Sequence, residues 1–414
     1  MARPLRRTRG DLVATAAVTV VSLAAVAGVW LTAPIRGSEL TPAAGEFTAA
    51  PVLDTVPDSL SPAWLLDDAP LPGVHRPVIV DGLVVTYADR TVTASDPAGE
   101  TVWTYRRDLD LCSLGAAWGR VVTTWRAANG CGDVVSLDAE SGHYTATRSS
   151  ISPDEVVAVA SNDRIGTVGA ERLELWRSDL VRTVEYGEVE GVQEPHLQPH
   201  PGCRITSALT RTEHLAVTEV CPDGQGTWLR FQETTPEESR SPEILADVEL
   251  SGPGVRLVAV SQAAAAVYDG GELVTYLADG REAGRVAVPA SSGDGDGDGD
   301  GDGGGDGGGT LPFAPVTADL PHHVSFFDGE HLYLLGPDDL EVRQVVEDAA
   351  GTGVAVGGRL LAPTSEGIAV VDWDTGETEK TIPVDRGGYD GMVTLGVAGA
   401  TVVEKRGGQT VGLT

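Results

Sequence analysis

From Arg76 to the end of the chain, one kind of segment keeps returning: two short apolar runs joined by a small or glycine-containing step, then a polar turn and a further run. Eight such units align on that step, from RPVIVDGLVVTYADRTVTASD at 76–96 to GVAVGGRLLAPTSEGIAVVDWD at 353–374 and MVTLGVAGATVVEKRGGQTVGL at 392–413. Gly82 and Gly399, equivalent points in the first and last units, set a period of about 45 residues, the length of a propeller blade. Runs such as Val78–Val80 and Leu83–Val85 are apolar on both faces, as strands sandwiched between sheets must be, whereas 91–95 alternates through Val92 and Ala94. A long sandwich offers no reason for such a unit to return. The expected fold is therefore all-β, a β-propeller of seven or eight blades.

The turns support the repeat. In ASDPAGETVW, Asp96 opens a type I turn, Pro97 presets φ at its second position and Gly99 closes it. DAESG at 138–142 and DWDTG at 372–376 are one residue longer, again with Asp first (Asp138, Asp372) and Gly last (Gly142, Gly376). Each is expected to join the third and fourth strands of a blade. Trp103, four residues past the first turn, would then lie against the next blade and fill the gap between two sheets.

These residues resemble the PQQ-like β-propeller repeat, whose pattern runs roughly Leu-Asp-Ala-x-Thr-Gly with a tryptophan four residues on. Leu137, Asp138, Ala139, Ser141 and Gly142 follow it, as do Asp372, Thr375 and Gly376, while Asp96, Gly99 and Trp103 carry the docking tryptophan. The resemblance spans about 75–414 and is degenerate, with Ala146 and Lys380 at the tryptophan position of later units. It implies a propeller and raises quinone-dependent catalysis. Dehydrogenases of that family hold their cofactor with calcium, carboxylates and an adjacent Cys-Cys pair, and no two cysteines here are adjacent. No cofactor is expected. Trp373-Asp374 has the letters of a WD repeat but lies inside the turn, with no Gly-His signature beside it.

Cys112 and Cys131, then Cys203 and Cys221, each bracket the first two strands of a unit. In an antiparallel hairpin those points meet, so two disulfides are expected, each closing the mouth of a hairpin. Such bonds persist outside the reducing cytoplasm. His196, His200 and Cys203 stand at ligand-like intervals, but Pro195, Pro199 and Pro201 prevent a helix from aligning the histidines, and no metal site is expected.

The export signal agrees with the redox reading. Arg3, Arg6, Arg7 and Arg9 precede an uncharged run of 22 residues, 12–33, which as a helix reaches about 33 Å, enough to cross a bilayer core. The arginines place the N-terminus inside and the rest outside; a cleaved signal peptide is the alternative. No cysteine follows the run before Cys112, which argues against a lipoprotein anchor. Residues 1–11 read as a cytoplasmic tail, 12–33 as a transmembrane helix, 34–60 as a flexible stalk and 61–414 as the propeller. The last unit has little room for a fourth strand, and residues 61–69, SPAWLLDDA, are expected to supply it and close the ring.

Net charge is −32, so the surface repels phosphate and nucleic acid is not an expected partner. The run GDGDGDGDGDGGGDGGG at 293–309 lacks the glutamate of an EF-hand and the apolar residue of an RTX repeat, and 291–310 read as a disordered loop. The motifs of serine hydrolases, zinc proteases and P-loop NTPases are missing. His322 and His323 could line the central channel or lie at a strand edge. The reading is a membrane-anchored binding or scaffolding module of the cell envelope, with a protein, glycan or small ligand as partner; the alternative is an enzyme with its site at the propeller axis.

Overall fold

The chain is described by a computed structural model over residues 8–161, 163–189, 197–222, 226–250, 254–269, 271–289 and 311–414. The Gly/Asp run 291–310 and His196 lie outside the described residues.

β-Branched and aromatic runs broken by turn residues form eight antiparallel sheets. The first blade is Val78–Val80, Leu83–Ala88, Thr91–Ser95 and Thr101–Arg107. Its opening hairpin turns on Asp81 and Gly82 at φ 49° and 80°, the left-handed pair a two-residue turn requires. Blades 2 to 7 repeat the order, beginning at Leu111, Val157, Arg204, Arg256, Val316 and Val354. Between neighbouring blades lie apolar clusters: Trp103, Tyr105, Trp125 and Leu137 between blades 1 and 2, and Val370, Ile382, Leu395 and Val411 between blades 7 and 8. The fold is an eight-bladed β-propeller.

The eighth blade joins both ends of the chain. Val393–Ala398, Thr401–Arg406 and Gln409–Leu413 are completed by Pro62–Asp67, paired antiparallel with Gln409–Leu413 from Pro62↔Leu413 to Asp67↔Gln409. Residues 61–69 thus supply the missing strand. Without it two sheet edges and two apolar faces would be exposed.

Ahead of the ring, Arg9–Thr32 is a helix with every residue exposed, long and apolar enough to cross a membrane. Asp11, the one acidic residue in its first turn, caps the helix start, where Thr8 and Asp11 bond each other's backbone N–H groups in a capping box.

The expected free stalk at 34–60 is corrected. Ser38–Thr41 pairs antiparallel with the outer strand of blade 1, Ser38↔Arg107 to Thr41↔Thr104, as a fifth strand. The chain then runs over neighbouring blades, from blade 2 past blade 1 to blade 8: Ala43 N–H bonds Ser141 O at 3.0 Å and Leu53 N–H bonds Gly399 O at 2.9 Å. Phe47 packs on the blade 1–2 cluster, Leu53 and Val56 on the blade 7–8 cluster. These anchors are spaced irregularly among Pro, Ala and Ser, so the segment shows no strand or helix period and reads as hydrated tether. Its few apolar side chains nevertheless suffice to bind it down.

Candidate binding face

A propeller has two loop faces. One, here the hairpin face, carries the turns between strands one and two and between strands three and four of each blade. The other, the linking face, carries the turns between strands two and three and the passages between blades.

The repeat turns lie on the hairpin face and lock blade to blade. Asp96 Oδ1 accepts the N–H groups of Ala98 and Glu100, both at 2.9 Å, and Gly99, at φ 82°, returns its N–H to Asp96 O. Asp138 and Asp372 cap their longer turns in the same way, Asp138 with Ser141, which holds its carboxyl below the ordinary value, and Asp372 with Thr375 and Asp374. Trp103 lies flat over Gly142, where an added Cβ would come within 2.7 Å of the ring, and gives its indole N–H to Ala139 O at 2.7 Å.

Two further residues do for other blades what Trp103 does for the first. Trp64, third residue of the closing strand, lies over Gly99 and donates to Pro97 O at 2.9 Å. Gln344, third residue of Val342–Val346, lies over Gly376 and donates to Asp374 O at 2.9 Å. Neither is legible from the turn pattern. Trp64 precedes the repeats it serves, and an amide replaces the indole at 344. His322 and His323 sit beside Trp373 in the next blade's turn, with ring centroids 5.2 and 6.2 Å away.

The linking face is built differently. Here the axis is crossed by chain: Phe313 N–H bonds Thr206 O at 2.7 Å, Ser207 Oγ donates to Phe313 O at 2.8 Å, and His75 Nε2 meets Ala314 O at 3.0 Å. Burial depresses the His75 pKa. Arg76 reaches Leu395 O on blade 8 at 3.1 Å, and burial lowers its pKa to about 10. The guanidinium of Arg256 stands 5.2 Å above the Phe313 ring.

Both disulfides are on this face. Cys203 directly precedes Arg204–Arg211 and Cys221 directly follows His214–Val220, so this bond closes the mouth of the first hairpin of blade 4. The other expected closure is corrected in detail. Cys131 is past the second strand of blade 2, in Gly130–Asp138, and bonds Cys112 beside the bulge between Leu111 and Ser113. Glu219 lies beside the second bond, held by Arg230 at 2.8 Å and the Tyr186 hydroxyl at 2.7 Å. With both sulfurs in a disulfide and the carboxylate already bonded, the trio serves structure. His200 is turned elsewhere, 3.7 Å from Asp247.

Between the disulfides lies a cavity of about 540 Å³ lined by Arg126, Pro153, Asp154, Glu155, Glu171 and Leu311, with Ala170. Each bond braces a wall. Cys131 N–H holds Pro153 O at 2.9 Å, and Ile205, two residues past Cys203, holds Ala170 O at 2.7 Å. Three carboxylates against one guanidinium make a mouth that attracts cationic groups and repels anions. The sequence shows the two cysteine pairs but not that they bracket a hollow.

Beneath the surface of blade 3, Glu174 and Glu185 stand directly opposite each other on paired strands, among Arg148, Arg172 and Arg182 at 2.6 to 3.4 Å. Burial alone would raise the Glu174 pKa, but Arg148 and Arg172 outweigh it and hold it low, whereas burial leaves Glu185 raised.

No protein-family model and no curated protein matches this chain. Solved structures do resemble it. BamB from Moraxella catarrhalis is similar over 86% of this chain and 99% of its own, at 12% identity and a TM-score of 0.48. AztD from Citrobacter koseri is similar over 78% of this chain and 87% of its own, at 12% identity and a TM-score of 0.46; its apo structure gives 0.45. At this identity no residue correspondence follows.

Proposed function

We propose that the protein is a membrane-anchored binding or scaffolding module that presents the linking face of its propeller outside the cytoplasm. The cavity braced by two disulfides carries this reading: it is a concave site with two of its walls hydrogen-bonded to cystine-bearing segments. Rigid walls lower the entropy lost on binding. Its three carboxylates favour a partner offering lysine, arginine or another cationic group. In this reading residues 1–11 are cytoplasmic, 12–33 span the membrane and the cystines form in an oxidising envelope. The PQQ-like repeat assignment belongs to the same proposal, supported by the shared Asp-to-Gly turns and by the tryptophans docked on two of them.

The test is photo-crosslinking in intact cells. A crosslinking residue replaces Glu155 or Glu171 at the cavity, or Glu140 on the hairpin face. One discrete adduct from the cavity positions, absent from Glu140 and lost when the two remaining cavity carboxylates (Asp154 with Glu171 or with Glu155) are both changed to Lys, supports the reading. Equal labelling from all three positions overturns it.

A further inference from the structure

The membrane helix and the propeller are joined with almost no slack. The helix ends at Thr32, a tight turn occupies Pro34–Gly37, and the ladder with blade 1 begins at Ser38. Six residue steps span about 20 Å at full extension, and a turn rising about 2 Å per residue shortens that. The turn is itself held: Ser38 Oγ donates to Ile35 O at 2.6 Å, and Asp108 N–H bonds Gly37 O at 2.9 Å. Asp108 follows the outer strand of blade 1 at its linking-face end.

Side chains at the helix end suit a bilayer interface. Trp30 is 61% and Ile35 56% exposed, and the Arg36 guanidinium lies 4.2 Å from the Trp30 ring centroid. A tryptophan at the headgroups and an arginine reaching outward are anchors of that zone. The adjoining corner of blade 1 is nearly neutral within a chain of net charge −32. Arg106 pairs with Asp108 at 2.6 Å and Arg90 with Asp110 at 3.2 Å. An acidic corner would be repelled by anionic headgroups; a corner of paired charges is not.

We propose that the blade 1 corner formed by Gly37, Arg90, Arg106, Asp108 and Asp110 rests on the lipid headgroups, which makes the linking face the membrane-proximal face. The inference rests on residues 12–33 spanning the bilayer. It places the cavity near the membrane, because Arg126, on its wall, bonds Asp110 O through its N–H at 2.9 Å. A partner of that cavity would then be membrane-bound or close to the membrane.

The test uses the full chain in phosphatidylcholine–phosphatidylglycerol vesicles carrying a quencher on a fraction of the headgroups. Ala128→Cys, in the linking-face turn of blade 2, and Glu140→Cys, in the hairpin-face turn of the same blade, are labelled singly with a fluorophore. Gly130–Asp138 separates the two positions by about 30 Å. Several-fold stronger quenching at 128 than at 140 is expected. Equal or reversed quenching with the protein resisting alkaline-carbonate extraction overturns the orientation alone, whereas release by carbonate overturns the spanning reading and this proposal with it. Ten Gly/Ser residues inserted between Ala33 and Pro34 should erase the difference; an undiminished difference would overturn the short tether as its cause.

Discussion

Lys405 and Asp68, 337 residues apart, form a buried ion pair at the seam where the two ends of the chain meet. Asp68 Oδ2 also accepts Thr410 Oγ1 at 2.7 Å, while Oδ1 takes the Tyr87 N–H of blade 1 at 3.1 Å. One carboxylate therefore ties the closing strand to blade 8 on one side and to blade 1 on the other.

Removing it should open the ring. Asp68→Ala leaves a buried lysine without its counter-charge, a loss of about 3–5 kcal/mol. Deleting 409–414 removes the strand that Pro62–Asp67 pairs with, and is expected to yield aggregated protein rather than a shorter propeller. Urea unfolding of the first and size-exclusion chromatography of the second are the measurements. A monomeric, cooperatively folding truncation would contradict the closure.

The docked tryptophans should be worth more than their turns. Trp103 is fully buried, and Trp103→Ala is expected to cost about 3–5 kcal/mol in denaturant melts. Trp64 is partly exposed, so its truncation should cost less. Gly142→Ala should also destabilise by more than about 1 kcal/mol, since its φ of 73° disfavours a side chain and the new Cβ would meet the Trp103 ring. In Trp103→Ala the steric part of that penalty should vanish, which a double-mutant cycle reads directly.

Each disulfide closes a loop of about 20 residues, worth about 3 kcal/mol in the chain-entropy model. Reduction should lower Tm, and the paired Cys→Ser variants should divide the drop between the two bonds. Both variants should also loosen the cavity walls, seen as faster amide exchange at position 131 in one and Ile205 in the other. Unchanged exchange at both would separate the cystines from the cavity.

Acid should destabilise the fold before the carboxylates titrate. Burial depresses the pKa of His75 and of His323 below the ordinary 6.5. The unfolded chain then binds more protons than the folded one, so this stability is complete above pH 6.5 and drains as pH falls toward the folded values. Tm is expected to decline from pH 7 to 5, and His75→Gln, which keeps a donor for Ala314 O, should flatten part of the decline. A profile unchanged by that substitution would remove His75 as a cause.

Much of the architecture can be read without coordinates, because propeller strands announce themselves locally. Runs such as Val78–Val80 are apolar on both faces, Asp96 and Gly99 mark a turn, and Trp103 stands at a fixed distance beyond it. Residues 61–69 can be assigned to the last blade by counting strands alone. The stalk escapes such a reading for the opposite reason. Leu40, Phe47, Leu53 and Val56 carry no period, so their burial depends on surfaces supplied by blades 1, 2, 7 and 8.

By itself the sequence determined the repeat, the turn chemistry, the bilayer-length helix and the pairing of the cysteines, since each rests on local pattern, on its recurrence within one or two blade lengths, or on simple length. Tertiary structure alone decided that there are eight blades, that Trp64 and Gln344 substitute for docking residues, that chain crosses the axis, and that the disulfides frame a cavity. Those features join residues tens to hundreds of positions apart, and no local preference encodes which distant surfaces will meet once the ring has closed.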